Sequence, residues 1–264
     1  MMNILDFYKK KESGEKISFI TCYDYTSARL LAQTSIDCLL VGDSCAMTMH
    51  GYKDTLSATI DMMCSHTAAV SRGAGDKFIV GDLPFLSYRK SLSKGVEAAG
   101  ALMQAGAHAV KLEGAAGNLN LIRHLVESGI PVMGHLGLTP QFVHALGGYK
   151  VQGRTHAGAE RLKEDALKLQ AAGCFSLVLE CVPVLLAKEV TQSLLIPTIG
   201  IGAGPYTDGQ VLVFQDMLGL NTDFKPKFVK RFVNGFDQLK NGIDTYVNDI
   251  QSGAFPQHEN YYEH

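Results

Sequence analysis

The chain has no excess of either charge: 24 Lys and Arg stand against 26 Asp and Glu in 264 residues, a formal net charge of −2. Without a basic footprint, a nucleic-acid partner is not expected, and an acidic tail is equally absent. No stretch approaches the roughly 20 apolar residues that a membrane span requires. Residues 1–16 carry Asp6, Glu12 and Glu15 among lysines and lack the continuous apolar region of a signal peptide, so a cytoplasmic protein is expected. Six cysteines are present (Cys22, Cys38, Cys45, Cys64, Cys174 and Cys181), but they are scattered and form no Cys-x-x-Cys pair. That is the pattern neither of a disulfide framework nor of a zinc knuckle, and it leaves reduced, small, mostly buried side chains. Proline is sparse, at eight, and no Ser/Gly-rich or single-charge run marks a linker. One domain over residues 1–264 is therefore expected, with a short N-terminal extension and a long C-terminal helical segment. A composition of 46% hydrophobic and 19% charged residues suffices for a large core without disulfides or a structural metal.

What is present is a recurrent short apolar run. Eight such runs predict strands at Ile17–Tyr23, Cys38–Gly42, Lys77–Gly81, Ala109–Leu112, Pro131–Gly134, Phe175–Leu179, Pro197–Ile201 and Gln210–Phe214. They are rich in Val, Ile and Leu and alternate little, as strands buried on both faces do. Amphipathic patterns between them predict helices at Ser27–Gln33, Thr59–Ser71, Lys94–Ala105, Leu119–Glu127, Ala157–Ala171 and Val184–Ser193, and a long closing one at Lys227–Ile250. The interval between the last two strands is too short for a full helix. Strand alternating with helix implies parallel strands joined by right-handed crossovers. Eight of them fit a closed (β/α)8 TIM barrel or an open doubly wound sheet.

The strand ends favour the barrel. Asp24, Asp43–Ser44, Asp82, Lys111 with Glu113, His135 and Glu180 each lie at the end of a successive run, and the seventh run ends in Gly200-Ile201-Gly202-Ala203-Gly204. In a barrel these ends converge on the one rim where active sites of the fold lie, whereas in an open sheet distant ends could not share a ligand. Each acid could instead cap the following helix, and for Asp24 nothing outweighs that role. Asp43 and Asp82 recur in parallel contexts, Val41-Gly42-Asp43 and Val80-Gly81-Asp82, each glycine allowing close approach of a ligand or a neighbouring chain. Lys111 and Glu113, two apart in a strand, share a face and form either a structural ion pair or part of a site. Three crowded carboxylates at 43, 82 and 113 would repel one another without a cation, and oxygen donors of this kind suit Mg²⁺. His135 has no second histidine at ligand spacing, which leaves a substrate-side or a satisfied core role. Glu180, ending the apolar run Leu177-Val178-Leu179, would be partly desolvated, as suits a general base. The glycines of 199–204 provide backbone space for a ligand or a tight turn, and the long segment 137–154 reads as a lid or binding loop, as does the 49–52 loop. No serine-hydrolase elbow is present.

In combination these blocks resemble the ketopantoate hydroxymethyltransferase family. The resemblance runs from about Ile17 to Pro256. It is carried by Thr21-Cys22-Tyr23-Asp24-Tyr25, Leu40–Ser44, Gly81-Asp82-Leu83-Pro84-Phe85, Val110–Gly114, Gly134–Gln141, Gly147–Gly153, Leu179–Pro183 and Ile199–Gly204. It implies a barrel of the phosphoenolpyruvate/pyruvate type, Mg²⁺ held by Asp43, Asp82 and Glu113, and substrate contacts from Asp43, Ser44, Asp82 and Lys111, with His135 near the substrate. It implies Glu180 as proton acceptor, 5,10-methylenetetrahydrofolate as co-substrate, and a cytoplasmic homodecamer on the route to pantothenate and coenzyme A. The sequence departs from the family at Cys45-Ala46, where Leu-Gly is usual, and in its tail from His258 to His264. Other readings of the same acids are a Mg²⁺-dependent lyase on a 2-oxo acid, a silent carboxylate-binding barrel, and a Schiff-base aldolase through Lys111.

Overall fold

The computed structural model describes residues 2–222 and 226–263; Met1 and His264, which the readings of the N-terminal segment and the tail include, lie outside the described residues. The chain forms two compact units, Met1–Val213 and Phe214–His264. In the first, α1 (Ile4–Ser13) leads into β1 (Ile17–Thr21), followed by α2 (Tyr25–Ala32), β2 (Cys38–Val41), α3 (Cys45–Thr48), α4 (Ile60–Gly73) and β3 (Phe78–Asp82). Then come α5 (Leu92–Gln104), β4 (Ala109–Glu113), α6 (Leu119–Glu127), β5 (Val132–Gly137), α7 (His156–Ala171), β6 (Ser176–Glu180), α8 (Val184–Ser193), β7 (Thr198–Ile201) and β8 (Gly209–Leu212). All eight strands pair in parallel in sequence order, and β1 closes on β8 through Ile17↔Gly209 to Ile20↔Leu212. The closed barrel, rather than the open sheet, is the architecture.

The helices start where side chains can satisfy orphan N–H groups. Asp24 accepts from Ser27 N at 2.8 Å, so it is the cap of α2 and not a rim ligand; the predicted start at Ser27 moves back to Tyr25 for that reason. Thr59, Ser91 and Thr155 cap α4, α5 and α7 in the same way. Among the described residues the β7–β8 connection holds no helix. The segment 1–16, read as an extension, contains α1, capped by Asn3 and ended by Gly14 in the left-handed region (φ 74°).

Strand parity decides what lies inside the barrel. Ile17 and Phe19, Cys38 and Leu40, Phe78 and Val80, Ala109, Met133, Val178, Ile199 and Val211 form one apolar cluster with Phe7 of α1. The Phe7 ring meets Phe175, Phe78 and Phe19 at centroid distances of 5.1, 5.3 and 5.9 Å and closes the end where the strands begin. Two residues further along the same faces stand Asp82, Lys111 with Glu113, His135 and Glu180. The inward faces of β3, β4, β5 and β6 thus change from apolar to ionisable along their length.

In the second unit α9 (Phe214–Met217) precedes α10 (Gly235–Ser252). The predicted helix from Lys227 begins eight residues late. Residues 229–236 fold back on 217–221 instead: Phe232 N donates to Met217 O, Gly235 N to Leu218 O and the Arg231 guanidinium to Asn221 O. Those bonds occupy the backbone and replace a helical ladder. Along α10, Phe236, Leu239, Ile243, Val247 and Ile250 form an exposed apolar row at helical spacing. No helix among the described residues is long and apolar enough to cross a membrane.

Candidate active site

Registers bring the rim residues together. Asp82 lies opposite Lys111, Glu113 opposite His135, and Glu180 opposite Gly137. Asp43, just past β2, joins them through its backbone N–H, which donates to Asp82 Oδ2 at 3.1 Å. Asp43, Asp82, Lys111, Glu113 and His135 are all buried, at 1–5% exposure, although charged groups are rarely buried so deeply without partners.

The partners are one another. Lys111 Nζ lies 3.0 Å from Asp82 Oδ1, an ion pair off the hydrogen-bond line, so that this buried oxygen has no aligned donor. His135 stands between two acids, with Nδ1 3.3 Å from Glu113 Oε1 and Nε2 3.2 Å from Glu180 Oε2, again ion-pair contacts rather than aligned hydrogen bonds. Burial pushes the Asp43 carboxyl well above the usual range, and the nearby Asp82 and Glu113 charges push the same way. Asp82 is also raised by burial, with Lys111 opposing. Burial alone would lower Lys111, but Asp82, Glu113 and Asp43 outweigh it and hold the ammonium firmly charged. For His135, burial and the Lys111 charge act downward, yet Glu113 and Glu180 prevail and raise it to about 9.

Asp43, Asp82, Lys111, Glu113, His135 and Glu180 therefore meet in one group of four acids and two basic side chains. Ser44 sits beside it, its Oγ 2.8 Å from the Tyr23 hydroxyl. Among the described residues no three Asp, Glu, His or Cys side chains form a ready-made metal ligand set. Each carboxylate already has a partner: Gln141 donates to one oxygen each of Asp43 and Glu113, and Lys111 faces Asp82. The donor chemistry still fits a hard divalent ion. It offers buried carboxylate oxygens, mutual repulsion among Asp43, Asp82 and Glu113, and an Asp82 oxygen without an aligned donor.

Two parallel glycines turn out unlike. A Cβ on Gly42 would come within 2.8 Å of Ser44 Oγ, so close approach is required there, whereas one on Gly81 would meet Leu102 and Ala107 at ordinary 3.5 Å contact. In the run 199–204, residues 199–201 end β7 and the tight turn follows, with Gly202 and Gly204 at φ 63° and 81°. Cys181, directly after Glu180, holds φ 48°, a strained value for a residue with a Cβ. Its carbonyl accepts from Gln152 N at 2.9 Å, which ties the 137–154 loop to the strand end bearing Glu180. All six cysteines are free. Cys45, where the sequence departs from the family, packs its Sγ 3.6 Å from Met63 Sδ between α3 and α4.

Sequence reasoning assigned no role to Tyr88 or Gln141. Both are buried and link the acids to each other. Gln141 stands in the quoted block Gly134–Gln141, in a 3-10 turn (Pro140–Phe142), but an uncharged side chain in a loop gives no signal of its own. Tyr88 lies in a loop six residues past Asp82, without periodicity.

Comparison with known proteins agrees with the geometry. The family model described as ketopantoate hydroxymethyltransferase matches residues 1–258. The 3-methyl-2-oxobutanoate hydroxymethyltransferase of Bdellovibrio bacteriovorus is 59% identical over 262 residues, covering 99% of this chain and all of that protein. The enzyme of that name from Francisella tularensis subsp. tularensis is 55% identical over 264 residues, covering all of both. Solved structures share the fold at low identity. Phosphonopyruvate hydrolase in complex with oxalate and Mg²⁺ has a TM-score of 0.64 at 8% identity, covering 98% of this chain and 93% of that one. For 2,3-dimethylmalate lyase, of the PEP mutase/isocitrate lyase superfamily, the TM-score is 0.59 at 16% identity, covering 96% and 99%. A full-length match at such identity is decisive: the chain belongs to the ketopantoate hydroxymethyltransferase family.

Proposed function

We propose that the protein transfers a hydroxymethyl group from 5,10-methylenetetrahydrofolate to 3-methyl-2-oxobutanoate, with water, giving 2-dehydropantoate and tetrahydrofolate. The observation that carries the reading is the juxtaposition of the buried Asp43, Asp82, Lys111 and Glu113 group with Glu180, His135 lying between Glu113 and Glu180. That arrangement suits a small 2-oxo carboxylate that must lose a proton beside its keto group.

The Lys111 ammonium offsets the substrate carboxylate, while Ser44, Asp43 and Asp82 border the same space and Tyr23 fixes the Ser44 hydroxyl. Asp43, Asp82 and Glu113 would hold Mg²⁺, which when bound supplies Lewis-acid polarisation of the keto group. Glu180 takes the C3 proton onto a carboxylate oxygen, and His135, charged beneath its raised pKa of about 9, orients that carboxylate. Water cleaves the methylene carbon from both folate nitrogens, freeing tetrahydrofolate and leaving that carbon as formaldehyde; the enolate carbon attacks it, and the alkoxide formed takes back the proton held by Glu180 to give the hydroxymethyl group. Burial of the group excludes water from the enolate and strengthens each charge interaction.

The exposed apolar row of α10 supports a homo-oligomer, the decamer that the family resemblance implies. A place in the cytoplasm, on the route to pantothenate, completes the reading.

The test follows the C3 proton of 3-methyl-2-oxobutanoate by NMR in D₂O, with and without Mg²⁺ and folate. Mg²⁺-dependent exchange without folate, and 2-dehydropantoate with it, is the expected result. Exchange without product would reject the folate as donor. Neither exchange nor product, from folded protein, would reject the enolisation chemistry.

A further inference from the structure

We infer that Gln141 is a positioning residue for the acids of the site, an inference that rests on the function proposed above. Its side chain and backbone make four contacts with the site walls. Nε2 donates to Asp43 Oδ2 at 2.8 Å and to the Leu83 carbonyl at 2.9 Å. Oε1 lies 2.8 Å from the Tyr88 hydroxyl, and the backbone N–H donates to Glu113 Oε2 at 3.0 Å. One loop residue therefore takes an oxygen of each of two carboxylates borne on different strands.

The contacts also fix which way round the amide sits. The Leu83 carbonyl can only accept, so Nε2 faces it and Oε1 takes the proton of the Tyr88 hydroxyl at 2.8 Å, a shorter contact than those of that hydroxyl with the Glu113 N–H (3.3 Å) and carbonyl (3.5 Å). The amide nitrogen must then face Asp43 and Leu83, both acceptors. A reversed amide would set oxygen against oxygen at both. Leu83 and Tyr88 thus orient Gln141, and Gln141 orients Asp43.

The consequence for the site is specific. Asp43, Asp82 and Glu113 repel one another, and a carboxylate free to rotate would turn from its neighbours. The Gln141 amide holds Asp43 in place without adding a charge. It is also the right length to span from the 140–142 turn to the end of β2 while its own backbone reaches Glu113. Packing alone would not need a donor here; an apolar side chain of similar size would fill the same space.

The experiment compares the wild-type protein with Gln141→Met and Gln141→Glu, both close to the native shape. Mg²⁺ binding is titrated by calorimetry without substrate, and C3–H exchange of 3-methyl-2-oxobutanoate is followed in D₂O at saturating Mg²⁺. The loss of a hydrogen bond to a charged group predicts binding or exchange weaker by about 10- to 100-fold in Gln141→Met, with native circular dichroism. In Gln141→Glu an acid faces Asp43, and the exchange rate should be lower still. A folded Gln141→Met or Gln141→Glu with wild-type Mg²⁺ affinity and wild-type exchange overturns the inference. So does failure of both variants to fold, which assigns Gln141 to folding alone. If the wild-type protein itself shows no Mg²⁺-dependent exchange, the proposed function fails instead, and the calorimetry still judges Gln141.

Discussion

The two ends of the barrel use the same residue type to opposite effect. Where the strands begin, Asp37 accepts from the Ser18 backbone N–H and hydroxyl at 2.8 Å each and pairs with Lys10 at 2.9 Å. Burial opposes its ionisation, but those contacts prevail and its carboxyl is held below the usual range. Where the strands end, Asp43 and Asp82 are raised above that range, by burial first. At the lower end an aspartate meets N–H donors and a lysine from α1, and Phe7 fills the centre. At the upper end Asp43 meets other acids, and Asp82 pairs with a lysine that those acids share. One end therefore holds the fold together, and the other keeps charges in a costly arrangement that chemistry can use.

The largest effect should come from the upper end and leave the lower untouched. Glu180→Gln removes the proposed base but not the shape of the site. Loss of C3–H exchange by about 10²- to 10⁴-fold is expected, the range for general base catalysis, with unchanged thermal unfolding. An active Gln variant would remove Glu180 from the mechanism. Phe7→Ala makes the converse cut. It opens a cavity beneath Phe19, Phe78 and Phe175, with an expected cost of about 3–5 kcal/mol in urea unfolding. Exchange per folded molecule should stay near wild type. A lowered rate in folded protein would show that the two ends are coupled.

The difference between the ends also explains what could be read from the sequence. Strands were legible because a barrel strand is apolar on both faces, and all eight appear within three residues of the predicted limits. Asp43, Asp82, Lys111, Glu113, His135 and Glu180 were legible because each is an ionisable residue ending or following an apolar run. Phe7 was not. It sits in a segment dominated by Lys, Asp and Glu, and its three aromatic partners are remote in sequence. Tyr88 and Gln141 were invisible for a related reason: each acts through hydrogen bonds to groups on other strands, which no local pattern records. Gly81 misled because its resemblance to Gly42 is one of sequence, whereas strand parity turns it outward. The long pattern from Lys227 misled because residues 229–236 bond back to 217–221.

A double substitution asks whether the charges at the upper end cost stability. Lys111→Met with Asp82→Leu replaces a buried ion pair by apolar groups. Such replacements are neutral or stabilising by about 1–4 kcal/mol elsewhere, a gain offset here by the Asp43 N–H that loses its acceptor, so the variant should melt close to wild type while losing exchange. Lys111→Met alone should melt below the double variant, because it leaves Asp82 buried without its cation. Marked destabilisation of the double variant would show that the pair supports the fold.

The smallest effect belongs to Asp37, and its sign separates it from the acids above. Because the folded protein holds this carboxyl below its ordinary value, ionised Asp37 stabilises the fold above the unfolded pKa of about 3.9, and the contribution disappears as pH falls through the lower, folded value. Asp37→Asn should therefore cost about 1.5–3 kcal/mol at pH 7, the range for hydrogen bonds to a charged group, measured by urea unfolding. The gap from wild type should narrow below about pH 4, because acid removes from the native protein what the substitution has already removed. A gap that stayed constant to low pH would mean that the Ser18 hydrogen bonds and the Lys10 pair do not depend on the charge of Asp37. The contrast between the two ends would then rest on Phe7 alone.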